Sequence, residues 1–339
     1  MNRDEIQQLK KVLSAPKNIV IIPHKSPDGD AIGSTLGLYH YLKKKSHNVA
    51  VIAPNDYPEF LKWMPGEDTI IKFDTQEQEA INKINAAELI FTLDFNDLER
   101  IGEMKTAVEN TKAVFVMIDH HQQPEKYAAY TYSDATMSST SEMVYHFIHF
   151  IDETPVINKD IASCLYVGIM TDTGSFRFSS TSSVTHKVIS NLIEQGAEND
   201  AIHNAVYDSY SIGRLHLLGC ALKNLTYLEA YNTAFISLSS KELEENNFKK
   251  GDTEGFVNYG LSLKGVKFAA IFIENAQEKI IKISLRSKGK FDVNTFARKH
   301  FNGGGHINAS GGRSTDSLQT TVTRFRALLE EYKSELENS

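Results

Sequence analysis

The chain has 339 residues, 41% of them hydrophobic and 23% charged. These are the values of a globular protein long enough for two cores, and they exclude a disordered or low-complexity chain. No stretch approaches the run of about 20 apolar residues that spans a bilayer, and the polar start MNRDEIQQLKKVLSAPKN lacks a signal-peptide core, so a cytoplasmic location with no membrane partner is expected. The net charge of −7 argues against the broad basic footprint that duplex DNA demands. The charge is uneven: residues 1–220 sum to −10 and residues 221–339 to +3. An acidic front half beside a mildly basic back half suggests a cation site and an anion-binding surface. Cys164 and Cys220 stand in apolar surroundings without metal-type spacing, as reduced core thiols do.

In chain order, an amphipathic helix over about residues 4–14 leads into NIVIIP at 18–23, a fully buried strand. A glycine-containing helix follows, then NVAVIA at 48–53, ELIFTLD at 88–94 and AVFVMID at 113–119, with helical stretches such as 76–85 between them. Continuous apolar runs alternating with helices predict an α/β fold with a parallel sheet covered on both faces. From residue 140 to about 223 the pattern is mostly helical. TYLEAYNTAFISLS then predicts two strands around Tyr-Asn-Thr, and KFAAIFIENAQEKIIKISLRS a hairpin around Asn-Ala-Gln-Glu. A helix over 293–300, a glycine-rich loop and a long amphipathic helix over about 318–336 finish the chain. A domain boundary is expected within 195–222.

The residues that carry chemistry follow the strands, at the sheet edge where α/β proteins bind ligands. The first strand runs into His24, Asp28 and Asp30; the third ends at Asp94, with Asp97 beyond; the fourth ends in Asp119, His120 and His121. The helix ending near Met170 runs into Asp172. Taken alone, an Asp-Gly-Asp is usually a turn or a helix cap. Four chain segments repeating the pattern ask for a common cause, and a divalent metal pair supplies one. Two ions need a bridging carboxylate and terminal ligands, and mixed Asp and His donors suit manganese better than zinc. The remaining histidines outside the back-half loop, such as His40, His47, His146 and His300, have no such setting and are read as helix-surface or packing residues.

In the back half, Gly303, Gly304, Gly305 and His306 form a run that needs close backbone approach or positive φ. Backbone N–H groups in such a loop can cradle an anion. Arg286, on a strand with Ser284 and Ser287, can grip a phosphate in bidentate fashion. His306 and Asn308 add donors, and Ser310 and Arg313 are weaker candidates.

IPHKSPDGDAIGS, the Asp of FTLDFND, VMIDHHQ and GIMTDTGSFRFSST together resemble the four metal motifs of the DHH phosphoesterase family. ISLRSKGKFDV followed by FNGGGHINASGG resembles the DHH-associated C-terminal domain. The resemblance covers nearly the whole chain, and its length is most like the nano-RNase/pAp-phosphatase branch. It implies a metal-binding catalytic domain over 1–200, a helical connector over 201–222, and a smaller α/β substrate-binding domain over 223–339, with a cleft between the domains. It implies that His24 and Asp28 hold one manganese, that Asp94 bridges, and that Asp30, His120 and Asp172 hold the other. Mg2+ or Co2+ would be substitutes. His121 would face the phosphate. Asp119 would be a ligand or, as favoured here, the acceptor that orients a histidine. Asp97 is read as a solvated loop acid. Arg286, the Gly303–Gly304–Gly305 loop, His306 and Ser310 would bind the nucleotide or terminal phosphate. The expected activity is hydrolysis of short single-stranded oligoribonucleotides to mononucleotides, dephosphorylation of 3′-phosphoadenosine 5′-phosphate (pAp), or both. A homodimer is a compatible assembly. The competing readings are a cyclic-di-AMP or pApA phosphodiesterase, a pyro- or polyphosphatase, and a non-catalytic nucleotide-binding module.

Overall fold

Apolar runs that bury both faces build the first sheet. In the computed structural model, which describes residues 1–338, these runs are β1 (Asn18–Pro23), β2 (Asn48–Ala53), β4 (Leu89–Leu93) and β5 (Val114–Asp119). Two short strands, β3 (Ile71–Lys72) and β6 (Tyr130–Ser133), close the edges. The order is β3-β2-β1-β4-β5-β6 and every neighbouring pair is parallel. Along β1, Ile19 and Ile21 enter one core while Val20 and Ile22 enter the other. That division is why the strand reads as an unbroken apolar run.

The helices of this part are α1 (Arg3–Val12), α2 (Gly29–Lys44), α3 (Glu77–Ala86), α4 (Lys105–Glu109), α5 (Thr140–Ile151), α6 (Lys159–Asp172), α7 (Ser183–Glu194) and α8 (Asn199–Tyr207). Ile84 of α3 and Val108 of α4 cover one face; α2, α5 and α6 supply Leu36, Phe147 and Leu165 to the other. At Gly33, α2 lies against the backbone of α6 with no room for a side chain. A Cβ on Gly33 would lie 2.6 Å from the Cys164 carbonyl oxygen and 2.8 Å from the Gly168 nitrogen. A Cβ on Gly168 would lie 1.9 Å from Ser141 Oγ and 2.9 Å from Asp30 Oδ1.

All these elements belong to one unit, Met1–Ser209, and a second unit begins at Tyr210. The second contains α9 (Ile212–Lys223), β7 (Thr226–Leu228), β8 (Thr233–Leu238), α10 (Ser240–Glu245), α11 (Phe256–Ser262), β9 (Phe268–Asn275), β10 (Ile280–Ser287), α12 (Val293–His300), β11 (Gly304–His306), β12 (Ala309–Ser314) and α13 (Leu318–Asn338). Its sheet runs β11-β12-β10-β9-β8-β7, antiparallel except for the parallel β8–β9 pair. β9 and β10 form the expected hairpin, with Ile280 opposite Asn275. Alternation sorts β10: Ile281, Ile283 and Leu285 enter the core with Phe272 and Phe325, and Arg286 is left half-buried.

The segment 201–222, expected as a connector, is divided between the units. Ile202 and Val206 of α8 are in the first unit's core; Leu217 and Ala221 of α9 are in the second's. Each helix carries an apolar stripe, and burying it ties the helix to its own unit. The glycine-rich run also differs from a plain loop, because Gly304, Gly305 and His306 pair with Gly311, Ser310 and Ala309 as an edge strand. No helix among the described residues is long and apolar enough to cross a membrane.

Candidate metal centre and glycine-loop site

Three central strands of the first sheet, β1, β4 and β5, hand their last or next residues to a common place at the C-terminal edge. His24 directly follows β1, Asp28 caps α2, Asp30 lies in the first turn of α2, Asp94 follows β4, Asp119 ends β5, and Asp172 ends α6. Asp94 lies between two histidines: His24 Nε2 is 3.4 Å from its Oδ2, and His120 Nε2 is 3.4 Å from its Oδ1. His24 Nε2 is also 3.9 Å from Asp28 Oδ2, and His120 Nε2 is 3.8 Å from Asp30 Oδ2 and 3.6 Å from Asp172 Oδ2. Two donor sets result, His24–Asp28–Asp94 and Asp30–His120–Asp172, each with ligand atoms within 4.8 Å of one another. Asp94 adjoins both. Its φ of +65° is uncommon for a residue other than glycine, though Asp is among those that adopt it most readily, and such conformations concentrate at functional sites.

The imidazole tautomers follow from the backbone. His24 Nδ1 is 2.9 Å from the Lys25 carbonyl oxygen, and His120 Nδ1 is 3.3 Å from that of Met137. A carbonyl only accepts, so each Nδ1 donates and each Nε2 is turned toward the carboxylates. Two Nε2 atoms facing four carboxylates, with four of these six side chains (His24, Asp30, Asp94 and His120) in the buried interior, make the donor set of hard-to-borderline divalent ions. The residues present therefore fit a divalent metal pair.

Burial and mutual charge split the titration of this cluster. Burial disfavours the Asp94 carboxylate, but hydrogen bonds from His120 and His24 outweigh it and hold Asp94 well below the usual range. Burial, with the charges of Asp94 and Asp172, lifts Asp30 well above it. Burial pushes Asp172 up to about 6 against the pull of His120. Both His24 and His120 are raised, because burial is outweighed by Asp94 and the other carboxylates. Like charges in one buried place cannot all ionise cheaply, which is the state a cation relieves.

Asp119 is fully buried and holds His121 twice: its Oδ2 accepts the His121 backbone N–H at 2.9 Å, and its Oδ1 accepts Nδ1–H at 2.7 Å. That contact orients the ring. Asp97 caps the short helical turn Leu98–Met104 through the Glu99 N–H at 2.8 Å.

Sequence reasoning missed the amino terminus of α5. Thr140 and Ser141 donate their backbone N–H groups to Asp30 Oδ2 and Oδ1 at 2.6 and 2.8 Å, and Thr140 Oγ1 donates to Asp94 Oδ1 at 3.0 Å. First-turn N–H groups have no partner within a helix and favour an anion. The only signal in the sequence was the serine and threonine run at 138–141 before an apolar helix, a capping pattern.

In the second unit, Arg286 pairs across the sheet with Ala309 and Ala269, and its Nη1 donates to its neighbour's carbonyl, that of Leu285, at 3.0 Å. A Cβ on Gly303 would lie 1.9 Å from the Gly311 carbonyl oxygen, and Gly305 has φ +147°. Of the expected donors, the Gly305 N–H is engaged by Asn294 Oδ1 at 3.0 Å. Ser310 Oγ donates to the His306 carbonyl at 2.9 Å, which fixes the run's end. Asn294 Oδ1 also accepts from Arg298 Nε at 3.1 Å, and the Arg298 guanidinium lies about where a Gly304 Cβ would touch it, 3.5 Å away. Asn294 and Arg298 were not anticipated. Asn308 Nδ2 donates to Ser287 Oγ and to the Gly289 carbonyl, a role in bracing the strand end.

Residues 18–169 match the DHH family, N-terminal domain, and residues 231–338 match the DHHA1 domain. The fold is similar to the crystal structure of an exopolyphosphatase-related protein from Bacteroides fragilis, with 43% identity and a TM-score of 0.93 over 99% of this chain and 98% of that one. The sequence is 26% identical over 330 residues to the bifunctional oligoribonuclease and PAP phosphatase NrnA of Bacillus subtilis, covering 96% of this chain and 99% of that protein. It is 28% identical over 337 residues to the cyclic-di-AMP phosphodiesterase GdpP of the same organism, covering 96% of this chain but 49% of that protein. With both domain matches, the full-length structural likeness and the clustered Asp and His side chains, the chain belongs to the DHH family and is a hydrolase of phosphoester bonds.

Proposed function

We propose that the chain is a manganese-dependent phosphoesterase that hydrolyses short oligoribonucleotides to mononucleotides and dephosphorylates pAp. The observation that carries the chemistry is Asp94, a member of one donor set and 3.4 Å from a histidine of each, His24 and His120. In this reading His24 and Asp28 would hold one ion, Asp30, His120 and Asp172 would hold the other, and Asp94 would be shared between them. When bound, such a pair neutralises the phosphate, activates a water and stabilises the leaving oxygen.

The chain's own groups do the rest. The α5 N–H groups fix Asp30, and Thr140 fixes Asp94, so the carboxylates are set before substrate arrives. Asp119 accepts from His121 Nδ1–H and so fixes the ring's orientation; as the imidazolium, its charge balanced by Asp119, His121 would pass its Nε2 proton to the leaving oxygen and be left neutral. In the second unit, Arg286, Arg298, His306 and the Gly303–Gly305 backbone bind the nucleotide end. The Arg298 guanidinium beside a side-chain-free backbone run, with Arg286 on β10 of the same sheet, favours a phosphate or a nucleotide over a neutral ligand. The full-length similarity to an oligoribonuclease and PAP phosphatase supports this choice of substrate.

The similarity to a cyclic-di-AMP phosphodiesterase over nearly all of this chain favours one second reading, hydrolysis of cyclic-di-AMP or pApA. Product analysis of the purified chain with Mn2+ on a labelled RNA dinucleotide, pAp, cyclic-di-AMP, pApA, pyrophosphate and a 20-nucleotide RNA separates them. Dinucleotides to about pentanucleotides should turn over far faster per end than the long RNA, because long strands are held by an extended basic groove that a chain of net charge −7 is poorly suited to supply. Equal rates on the long RNA, or turnover of cyclic-di-AMP alone, would overturn the reading.

A further inference from the structure

A buried carboxylate of the first unit stands outside the metal centre and has no part in the chemistry described so far. Glu142, in the first turn of α5, is 1% exposed. Its Oε2 accepts from Ser138 Oγ and, at 2.9 Å, from Thr185 Oγ1 of α7, while its Oε1 is 3.7 Å from His146 Nε2. Burial disfavours the charge, but the contacts with His146, Ser138 and Thr185 outweigh it and hold the carboxyl below its usual range. Thr185 is itself fixed, because its Oγ1 accepts the Ser182 backbone N–H at 3.0 Å in the capping box that starts α7. An interior carboxylate is costly unless donors surround it. Here they come from the turn before α5, from α5 itself and from α7.

The turn that Glu142 secures touches three of the metal-centre side chains. The Met137 carbonyl faces His120 Nδ1 at 3.3 Å, the Thr140 and Ser141 N–H groups reach Asp30 at 2.6 and 2.8 Å, and Thr140 Oγ1 reaches Asp94 Oδ1 at 3.0 Å. These contacts share one side of the centre. Asp94 Oδ1 is the oxygen 3.4 Å from His120 Nε2, whereas Oδ2 faces His24. His24 and Asp28 have other supports: the Lys25 carbonyl holds His24 Nδ1, and Asp28 Oδ1 accepts from the Asp30 and Ala31 amides.

We propose that Glu142 is a positioning residue for one ion of the pair. By tying Ser138 to Thr185 it fixes the 137–141 turn, and through that turn Asp30, His120 and Asp94 Oδ1. The His24–Asp28 side does not depend on it. This inference rests on the two-ion reading proposed above.

The test is a Mn2+ titration of the full chain, with free ion counted by electron paramagnetic resonance. Glu142→Met keeps the length of the side chain and removes both acceptor oxygens; Glu142→Gln keeps one. Glu142→Met should weaken one uptake step about tenfold or more and leave the other within about twofold, and Glu142→Gln should restore most of the loss. Ser138→Ala cuts the same tie from its other end. It should reproduce the selective loss, and it carries the test alone if melting curves show Glu142→Met unfolded. Where both fold, the double variant should lose little more than either single one, since the two residues act through one contact. In the metal-free chain labelled with 15N-histidine, the His120 signals should move in these variants and those of His24 should stay. A general loosening of the fold would weaken both uptake steps and move both histidines. A parent chain that takes up no pair of ions would overturn the two-ion reading, and this inference with it. A parent that takes up two, beside folded variants in which both steps weaken alike or neither does, would overturn this inference alone.

Discussion

The two units hold their polar sites by opposite means. In the first, side chains are the site and backbone N–H groups of α5 hold them: Asp30 and Asp94 are each 2% exposed, and the contacts to Asp30 come from Thr140 and Ser141. In the second, backbone is the centre of the proposed site and a side chain, Asn294, holds that backbone through the Gly305 N–H. A site of the first kind is broken by deleting a side chain, and one of the second kind by adding one.

The largest effect should come from Asp94. Asp94→Asn keeps the size and tolerates the positive φ but removes the shared charge. Several kcal/mol of transition-state stabilisation are at stake, on the order of a thousandfold in kcat. Steady-state kinetics with metal analysis checks it, and near-normal turnover at unchanged metal content would refute the bridging assignment. Arg286→Ala should raise KM for pAp about tenfold to hundredfold and leave kcat nearly unchanged, because its contact is remote from bond breaking. An unchanged KM would place the substrate elsewhere.

Gly303→Ala tests the other half of the comparison. The added methyl would press on the Gly311 carbonyl, and overpacking of this kind costs about 1–3 kcal/mol. Thermal melts should show the second unit destabilised, and a melting curve identical to the parent's would mean that the backbone there is looser than described. The smallest change should follow Thr140→Val, which removes the hydroxyl that donates to Asp94 while keeping the branched shape. A lost contact of this supporting type costs about tenfold in metal affinity, measurable by Mn2+ titration. Affinity equal to the parent's would show that the α5 amides alone position the cluster.

The parts of this arrangement that could be read from the sequence are those whose causes are local. NVAVIA became β2 and VNTFARKH became α12 with the expected bounds, since apolar runs, caps and turn residues act within a few positions. His24, Asp28, Asp94 and Asp172 could be singled out because each directly follows an apolar run or lies within the turn after it. β3, two residues long, and β6, with the sequence YTYS, carry no periodic signal and exist because β2 and β5 offer them an edge. The bond from Thr140 to Asp30 joins residues 110 apart, and no composition or spacing encodes such a distance. Asn294 is similar: it looks like an ordinary first-turn residue of α12 until the fold brings Gly305 to it.

The close approach of α2 and α6 has a consequence for anyone scanning this chain by substitution. Asp28 and Asp30 start one of these helices and Asp172 ends the other, so the distance between the helix axes sets the bite of the donor cluster. Gly33 and Gly168 carry no metal-donor atom, yet a methyl on Gly33 would wedge α2 from α6, and one on Gly168 would press on Ser141 of α5 and reach Asp30 itself. Such variants would score as catalytic in an activity screen. Their signature would differ, however: weaker Mn2+ retention, with substrate affinity intact once the metal is supplied in excess. The mutational footprint of the centre is thus wider than its ligands and follows a line of missing side chains down the helix interface.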